Sequence, residues 1–177
     1  MKITFSKLLP LVISMSIVVS AFSQGPTSIT NYAQAIVLAK TQNKVVLIDF
    51  TGSDWCEWCM KMKKEALDTP AFKHYAEKNL VIVEADFPRN KQQSAEVKAQ
   101  NDRLNQEFKI AGYPAFVLLD KDGKELGRQE GYLKGGSSAF IAKLNTFYTP
   151  APAASTATSG SDDFDKFFKK PAQSPTP

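Results

Sequence analysis

Two cysteines, Cys56 and Cys59, are the only ones in the 177-residue chain, and they stand three positions apart. An almost unbroken apolar run, Val45–Phe50, precedes them, and a segment rich in lysine and methionine follows. This pattern predicts a strand buried on both faces, a short turn and then a helix. If the helix begins at Cys56, the thiols lie one turn apart on one face, close enough to bridge. The helix dipole favours a thiolate at Cys56, so the spacing predicts a reversible dithiol.

Residues 1–23 are typical of a secretory signal peptide. Two lysines form a short basic start, and residues 8–22 are apolar but too few for a comfortable membrane span. Ala21 and Ser23 then place small residues before a cleavage site at Gln24. We therefore expect an exported protein, in the periplasm or elsewhere outside the cytosol, where disulfides persist. An uncleaved membrane anchor is the alternative for the same segment.

Removal of this segment lowers the net charge from +4 to +2, because it takes away two lysines and no acid. A chain so close to neutral has no electrostatic signature of nucleic-acid binding. We expect no nucleic-acid partner and a monomeric protein.

Residues 24–148 are expected to form one compact domain. Hydrophobic periodicity and turn residues predict the element order α-β-α-α-β-α-β-β-α. The predicted elements are Asn31–Thr41, Val45–Phe50, Cys56–Leu67, Pro70–Glu77, Leu80–Asp86, Ser94–Phe108, Ala115–Leu119, Lys124–Gln129 and Ser137–Phe147. A helical crossover makes the second strand parallel to the first, whereas a tight turn makes the last two strands antiparallel. The prediction is an α/β fold with a mixed sheet.

Residues 149–177 are rich in Pro, Ala, Ser and Thr and are expected to form a disordered tail. Within the tail, Phe164, Phe167 and Phe168 stand at helical spacing. A helix that docks on a partner or a membrane surface is the alternative interpretation.

The strand, the Trp55–Cys59 helix start and the later Gly112–Pro114 segment before a strand resemble the thioredoxin superfamily. The resemblance spans residues 31–148. Among its members, the chain is most similar to exported bacterial thioredoxin-like disulfide reductases, including those of the chlamydial type and the C-terminal domain of the transmembrane thiol reductase. The resemblance implies a thioredoxin fold with helices on both faces of the sheet, an extra N-terminal helix, and a redox-active disulfide in place of a bound cofactor.

The resemblance also implies roles for individual residues. Cys56 would be the exposed attacking thiolate and Cys59 the buried resolving thiol. Pro114 would be the cis-proline that packs across from the cysteines, and the backbone of Tyr113 would pair with a substrate strand. A trans bond in an ordinary loop is the alternative for Pro114.

Two acids are candidates for the base that readies the second thiol. Asp49 lies seven residues before Cys56, one more than in common thioredoxins, and a shift of one residue along a strand changes the face on which a side chain lies. Glu84, on the neighbouring strand, is the second candidate. For each acid, a structural or solvent-facing role is the alternative.

Trp55 and Trp58 place flat apolar surface on either side of the first thiol, which suits an extended peptide substrate. Glu57 belongs to the same surface, and its charge disfavours a strongly stabilised thiolate at Cys56. This favours a reductase over a strong oxidant, although Lys61 and Lys63 act in the opposite direction.

The expected function is an exported thiol:disulfide oxidoreductase that reduces or corrects disulfides of substrate proteins and is recharged by a membrane thiol reductase. A disulfide oxidase or isomerase of the same fold is one alternative. A binding module with a purely structural bridge is another. A zinc site would require further ligands, and His74 is the only histidine, so no metal is expected.

Overall fold

The computed structural model describes residues 28–150 of the protein, which contain five helices and four strands in the predicted order. The helices are α1 (Tyr32–Gln42), α2 (Glu57–Met62), α3 (Pro70–Asn79), α4 (Ala95–Glu107) and α5 (Gly136–Asn145). The strands are β1 (Val45–Thr51), β2 (Leu80–Asp86), β3 (Ala115–Leu119) and β4 (Glu125–Glu130). The expected signal peptide and most of the expected tail lie outside the described residues.

The sheet is mixed, with strand order β2-β1-β3-β4. β1 pairs in parallel with β2 and antiparallel with β3, and β3 pairs antiparallel with β4. The register shifts between Leu118 and Leu119, so β4 carries a bulge at Leu126. The apolar run that contains Asp49 is thus a central strand, as its composition predicted, and its end delivers the chain into the cysteine segment.

Two hydrophobic cores lie on opposite faces of this sheet, because successive side chains of a strand point to opposite sides. Val46, Ile48 and Phe50 of β1 pack on the face covered by α1 and α4. Leu47 lies on the other face, in the core that α2, α3 and α5 complete. The structure confirms the predicted helices on both faces of the sheet.

Side-chain caps explain where three of these helices begin. Asn31 accepts a hydrogen bond from the amide of Gln34 at the start of α1, and Thr69 and Ser94 cap α3 and α4 in the same way. Pro70 occupies the first turn of α3, where its missing N–H is not needed. Each such cap contributes about 1 kcal/mol to stability.

The helix that follows the cysteines differs from the prediction of one regular helix. α2 ends at Met62 and continues as a π-helical turn, Lys63–Leu67. The amide of Asp68 donates to the carbonyl of Lys63 at 2.8 Å, the five-residue spacing of a π-helix. This wider turn places Lys63 over the sheet, as described below.

We predict that Gly127→Ala destabilises the fold by about 1–3 kcal/mol, because overpacking forces neighbours to move. A Cβ atom on Gly127 would lie 2.3 Å from Cδ1 of Phe147, a half-buried ring just after α5 that packs against the core. Urea unfolding of the purified protein measures the change. The matched control is Gly112→Ala, where a Cβ meets nothing within 4 Å. Equal stability losses in the two variants would contradict this packing.

Candidate active site

Cys56 and Cys59 form a disulfide at the N-terminus of α2, with Cα atoms 5.2 Å apart. Cys56 is the N-cap residue, and its Sγ accepts a hydrogen bond from the amide of Cys59 at 3.2 Å. Its extended backbone turns the chain from loop into helix. The sulfur therefore stands where free N–H groups and the helix dipole stabilise a negative charge.

Both cysteines are buried, Cys56 with 7% and Cys59 with 4% of its surface exposed. The expectation that Cys56 lies open to water is wrong for the disulfide form. Cys56 is buried because it lies where the preceding turn meets the start of α2. The two cysteine residues therefore differ more in their position on the helix than in their exposure.

Hydrogen bonds join the turn before Cys56 to the last residue of β2 and to the chain that follows it. Asp86 accepts hydrogen bonds from the amide and the hydroxyl of Ser53, at 2.8 and 2.6 Å. Asp54 accepts from the amides of Arg89 and Asn90, at 2.9 and 2.7 Å. These hydrogen bonds hold the pKa of Asp54 below its usual value, and the bond from the Arg89 amide has the largest effect. Together, the hydrogen bonds hold the turn that leads into the two cysteines at the start of α2.

Trp55 is half-buried and held on three sides. Its Nε1 donates to the carbonyl of Phe87 at 2.7 Å, and the Arg89 guanidinium lies 3.9 Å from the ring centre. The ring of Tyr113 meets it edge-on, with centroids 5.9 Å apart. A Cβ atom on Gly52 would lie 2.5 Å from the indole, so this position requires glycine. Trp55 joins the cysteine turn to the proline loop.

Trp58 is 56% exposed and lies on the outer side of α2. Its ring packs against Tyr132, with centroids 5.3 Å apart, and Lys61 Nζ lies within 5.4 Å of both ring centres. The Tyr132 hydroxyl donates to the Glu65 carboxylate. Glu57 is exposed in the first turn of the same helix. Sequence reasoning missed Tyr132, because only the fold brings the loop after β4 beside α2.

The Tyr113–Pro114 peptide bond is cis, as expected from the resemblance. Pro114 is buried, and its carbonyl accepts a hydrogen bond from the amide of Gly131 at 2.8 Å. The Tyr113 ring stacks on Phe87, and its hydroxyl donates to Asn105 at 3.1 Å. Among residues 28–150, no hydrogen bond uses the backbone N–H or C=O of Tyr113.

Asp49 and Glu84 are neighbours across the β1–β2 pair, on the sheet face that carries Leu47. The extra residue in the turn has therefore not moved Asp49 to the opposite face. Asp49 is 7% exposed, and burial first, then the charge of Glu84, raises its pKa to about 7. Asp86 acts in the same direction and Lys63 opposes it. Lys63 Nζ lies 3.6 Å from the Glu84 carboxylate.

His74 is exposed on α3. Between residues 28 and 150, the structure contains no cluster of three or more His, Cys, Asp or Glu side chains arranged to hold a metal ion. No helix in this range is both long and apolar enough to cross a bilayer.

A disulfide at a helix N-terminus, a neighbouring cis-proline loop and a mixed four-stranded sheet between helices define a thiol:disulfide oxidoreductase of the thioredoxin fold. Comparison with known proteins agrees with this class. The chain matches the thioredoxin-like domain family over residues 32–148 and belongs to that family.

Among its relatives is the disulfide bond reductase DsbH of Chlamydia pneumoniae, 39% identical over 116 residues, which cover 66% of this chain and 69% of DsbH. A solved structure of DsbH oxidoreductase superimposes with a TM-score of 0.65 at 36% identity, over 70% of this chain and 85% of that one. The thiol:disulfide interchange protein DsbD of Actinobacillus pleuropneumoniae is 30% identical over 110 residues, covering 61% of this chain but only 17% of DsbD. The expected resemblance to this reductase group is confirmed.

We predict that Asp49→Asn stabilises the protein increasingly as the pH rises. The carboxyl holds its proton more tightly in the folded chain, so stability is lost as the pH climbs from its ordinary pKa near 3.8 to the folded pKa of about 7. Asparagine cannot ionise, and its advantage should grow by about 2–3 kcal/mol between pH 5 and pH 8. Chemical unfolding at both pH values measures it.

Asp68→Asn is the control for this prediction, because Asp68 is exposed and borders the same cleft as Asp49. The gain in stability between the two pH values should be larger for Asp49→Asn than for this control. An Asp49→Asn gain that does not change with pH would contradict the burial of an ionisable carboxyl.

Proposed function

We propose that the protein is an exported disulfide reductase that reduces or corrects disulfides in substrate proteins through Cys56 and Cys59. The observation that carries this proposal is the position of Cys56 Sγ at the N-cap of α2, hydrogen-bonded to the Cys59 amide. The same contact that organises the helix start stabilises a thiolate when the bridge is reduced. The relative named disulfide bond reductase DsbH supports the direction of the reaction.

In the reduced enzyme, the Cys56 thiolate attacks one sulfur of a substrate disulfide and forms a mixed disulfide, while the other substrate sulfur leaves as a thiolate. Cys59 then gives its thiol proton to the Asp49 carboxylate. The Cys59 thiolate attacks Cys56 Sγ, closes the Cys56–Cys59 bridge and releases the second substrate sulfur. The substrate gains two electrons from the enzyme, and its two thiolates take protons from solvent.

The substrate is proposed to bind as an extended peptide beside the disulfide. Within residues 28–150, the backbone N–H and C=O of Tyr113 make no hydrogen bond, and they lie next to the cis-proline, which suits pairing with one added strand. Trp55 and Trp58 supply apolar surface on either side, with Glu57 at the rim. Such a site recognises backbone and flat apolar groups, and it suits many substrate sequences.

The charges around Cys56 favour a reducing dithiol. Asp54 and Glu57 place negative charge near the sulfur and disfavour an extremely stable thiolate. The positive charge of Lys61 is directed at the rings of Trp58 and Tyr132. We place the potential near that of thioredoxin, about −270 mV, and far from about −120 mV for a strong oxidant. A measured potential at the oxidising end would instead assign an oxidase or isomerase.

Export and recharging complete the proposal. Residues 1–23 serve as the signal peptide, and the domain at 24–148 acts in the periplasm or elsewhere outside the cytosol. A membrane thiol reductase supplies the electrons, in keeping with the similarity to a segment of DsbD. The active unit is a monomer that needs no cofactor beyond its own disulfide, and it binds no nucleic acid.

The burial of both cysteine residues favours one second candidate, a binding module in which the bridge is a structural staple. Alkylation after mild reduction distinguishes the enzyme from the binding module. Rapid modification of Cys56 supports the enzyme, whereas a bridge that resists reduction supports the staple.

We predict that Cys59→Ser accumulates substrates as mixed disulfides on Cys56, because the second thiol that would release them is gone. Cys56→Ser, the matched control, should capture none. Non-reducing electrophoresis with mass spectrometry, using the full chain expressed with its signal peptide, detects the adducts. A Cys59→Ser variant without adducts would argue against catalysis.

We predict that Asp49→Asn slows the resolution of the mixed disulfide by about 10²-fold at pH 8, since general-base assistance contributes factors of this size. The first attack by Cys56 should change far less, because it requires no base at Cys59. Rapid-quench kinetics with a disulfide-bonded peptide separates the two steps. Glu84→Gln, the variant of the other candidate acid, should leave a fast resolving step if Asp49 is the base.

A further inference from the structure

The Arg89 side chain lies over the indole of Trp55, with the guanidinium carbon 3.9 Å from the ring centre. Arg89 is exposed in the loop that follows β2. Its amide donates to the Asp54 carboxylate at 2.9 Å, and Trp55 Nε1 donates to the carbonyl of Phe87 in the same loop at 2.7 Å. Hydrogen bonds on both sides therefore hold the cation and the ring beneath it together.

The guanidinium of Arg89 makes no ion pair and no hydrogen bond within residues 28–150. Arg128 on β4 differs, because its guanidinium donates twice to Glu125, at 2.7 and 2.6 Å, and once to the carbonyl of Phe108 at 2.9 Å. A guanidinium carries five N–H donors and keeps its charge in a protein. The donors of Arg89 are thus available to a group outside the described part of the chain.

The other charges of this turn have partners close by. The Asp86 carboxylate accepts from the amide and the hydroxyl of Ser53, and the Asp54 carboxylate accepts from two amides. The Arg89 amide has the largest effect on the lowered pKa of Asp54, and the charge of Lys91 adds to it. Lys91 Nζ also donates to the Ser53 hydroxyl at 3.1 Å. The acids of the turn therefore balance the Lys91 ammonium, whereas no carboxylate of residues 28–150 lies within ion-pair distance of the Arg89 guanidinium.

Stacking on a ring leaves the edge of a guanidinium open, and that edge matches a carboxylate through two parallel N–H···O bonds. Because the ring fixes the plane of the Arg89 guanidinium, less side-chain freedom is lost when those bonds form. The ring also places the charge beside the disulfide, since Trp55 adjoins Cys56 and meets the Tyr113 ring edge-on, with centroids 5.9 Å apart. A peptide that lies along Trp55 and pairs with the Tyr113 backbone would bring a side chain to Arg89.

We propose that Arg89 is a specificity-determining residue that selects substrate disulfides with an acidic side chain, Asp or Glu, beside the reacting cysteine. The guanidinium donates two N–H bonds to that carboxylate, and the disulfide exchange at Cys56 is unchanged. This inference deepens the proposed reductase function and rests on it. Glu57 is exposed in the first turn of α2 and repels a carboxylate near it, so the preference is confined to an acid on one side of the cysteine.

The test compares disulfide-bonded peptides that differ at one position, Glu, Gln or Lys, placed either before or after the reacting cysteine. The reduced full-length protein reacts with each peptide in a single turnover, followed by stopped-flow fluorescence over a range of peptide concentrations. In one placement, the Glu peptide should reach its half-maximal rate at an about fivefold lower concentration than the Gln peptide, the size expected for an exposed charged pair. The maximal rates should be equal, because Arg89 acts on binding. The advantage should vanish at about 1 M salt, where the screening length is about 3 Å.

Variants are compared by the ratio of the Glu, Gln and Lys peptides within each protein, so that a general effect of losing the contact with Trp55 cancels. Arg89→Gln should bring the ratio of Glu to Gln to about one, and Arg89→Glu should favour the Lys peptide. Lys121→Gln is the matched control and should keep the wild-type ratio. It removes an exposed positive charge from the turn after β3, which lies at the opposite end of the sheet from Cys56 because β3 runs antiparallel to β1.

The inference and the proposed function fail in different ways. A wild-type protein that reduces the Glu and Gln peptides alike in both placements overturns the specificity and leaves the reductase standing. A Glu preference that survives in Arg89→Gln also overturns it, even where all peptides react more slowly, because that result assigns Arg89 only a structural contact with Trp55. A reduced wild-type protein that reduces none of the peptides overturns the reductase, and the specificity falls with it.

Discussion

The contact between the Cys59 amide and Cys56 Sγ is the interaction on which the site depends. It is a helix cap made by sulfur, so the free N–H groups that any helix start presents are directed at the reactive atom. The geometry that begins α2 thus also prepares the thiolate. A cysteine in the middle of the helix would lack this stabilisation, because its neighbours' amides would already be bonded within the helix.

This cap can form only because β1 and the turn after it fix the position and direction of the chain at Cys56. β1 lies at the centre of the sheet between two cores. The turn after it is held by the hydrogen bonds that the carboxylates of Asp86 and Asp54 accept from backbone amides. Trp55 then binds the turn to the proline loop. The site is therefore built at the ends of three neighbouring strands, β2, β1 and β3, each held by its own core contacts.

A buried acid on the central strand lowers stability at high pH, and it is the base that we propose for the second thiol. The pKa of Asp49 is raised to about 7 because the carboxylate loses water and faces Glu84. A carboxyl with an ordinary pKa would be a weak base towards a thiol, whereas one that titrates near neutrality is better matched to proton transfer. The fold gives up stability at high pH to keep this group in place.

The sequence alone determined the element order, the central position of β1 and the dithiol at the head of a helix, because these follow from local periodicity and from spacing along the chain. Only the tertiary structure decided that Cys56 is buried in the disulfide form, that Asp49 lies on the face beneath α2, and that Tyr132 joins Trp58. It also decided that Lys63, on a π-helical turn, meets Glu84. Each of these depends on which distant segments touch and on how much water remains between them, and neither quantity is encoded in a local pattern.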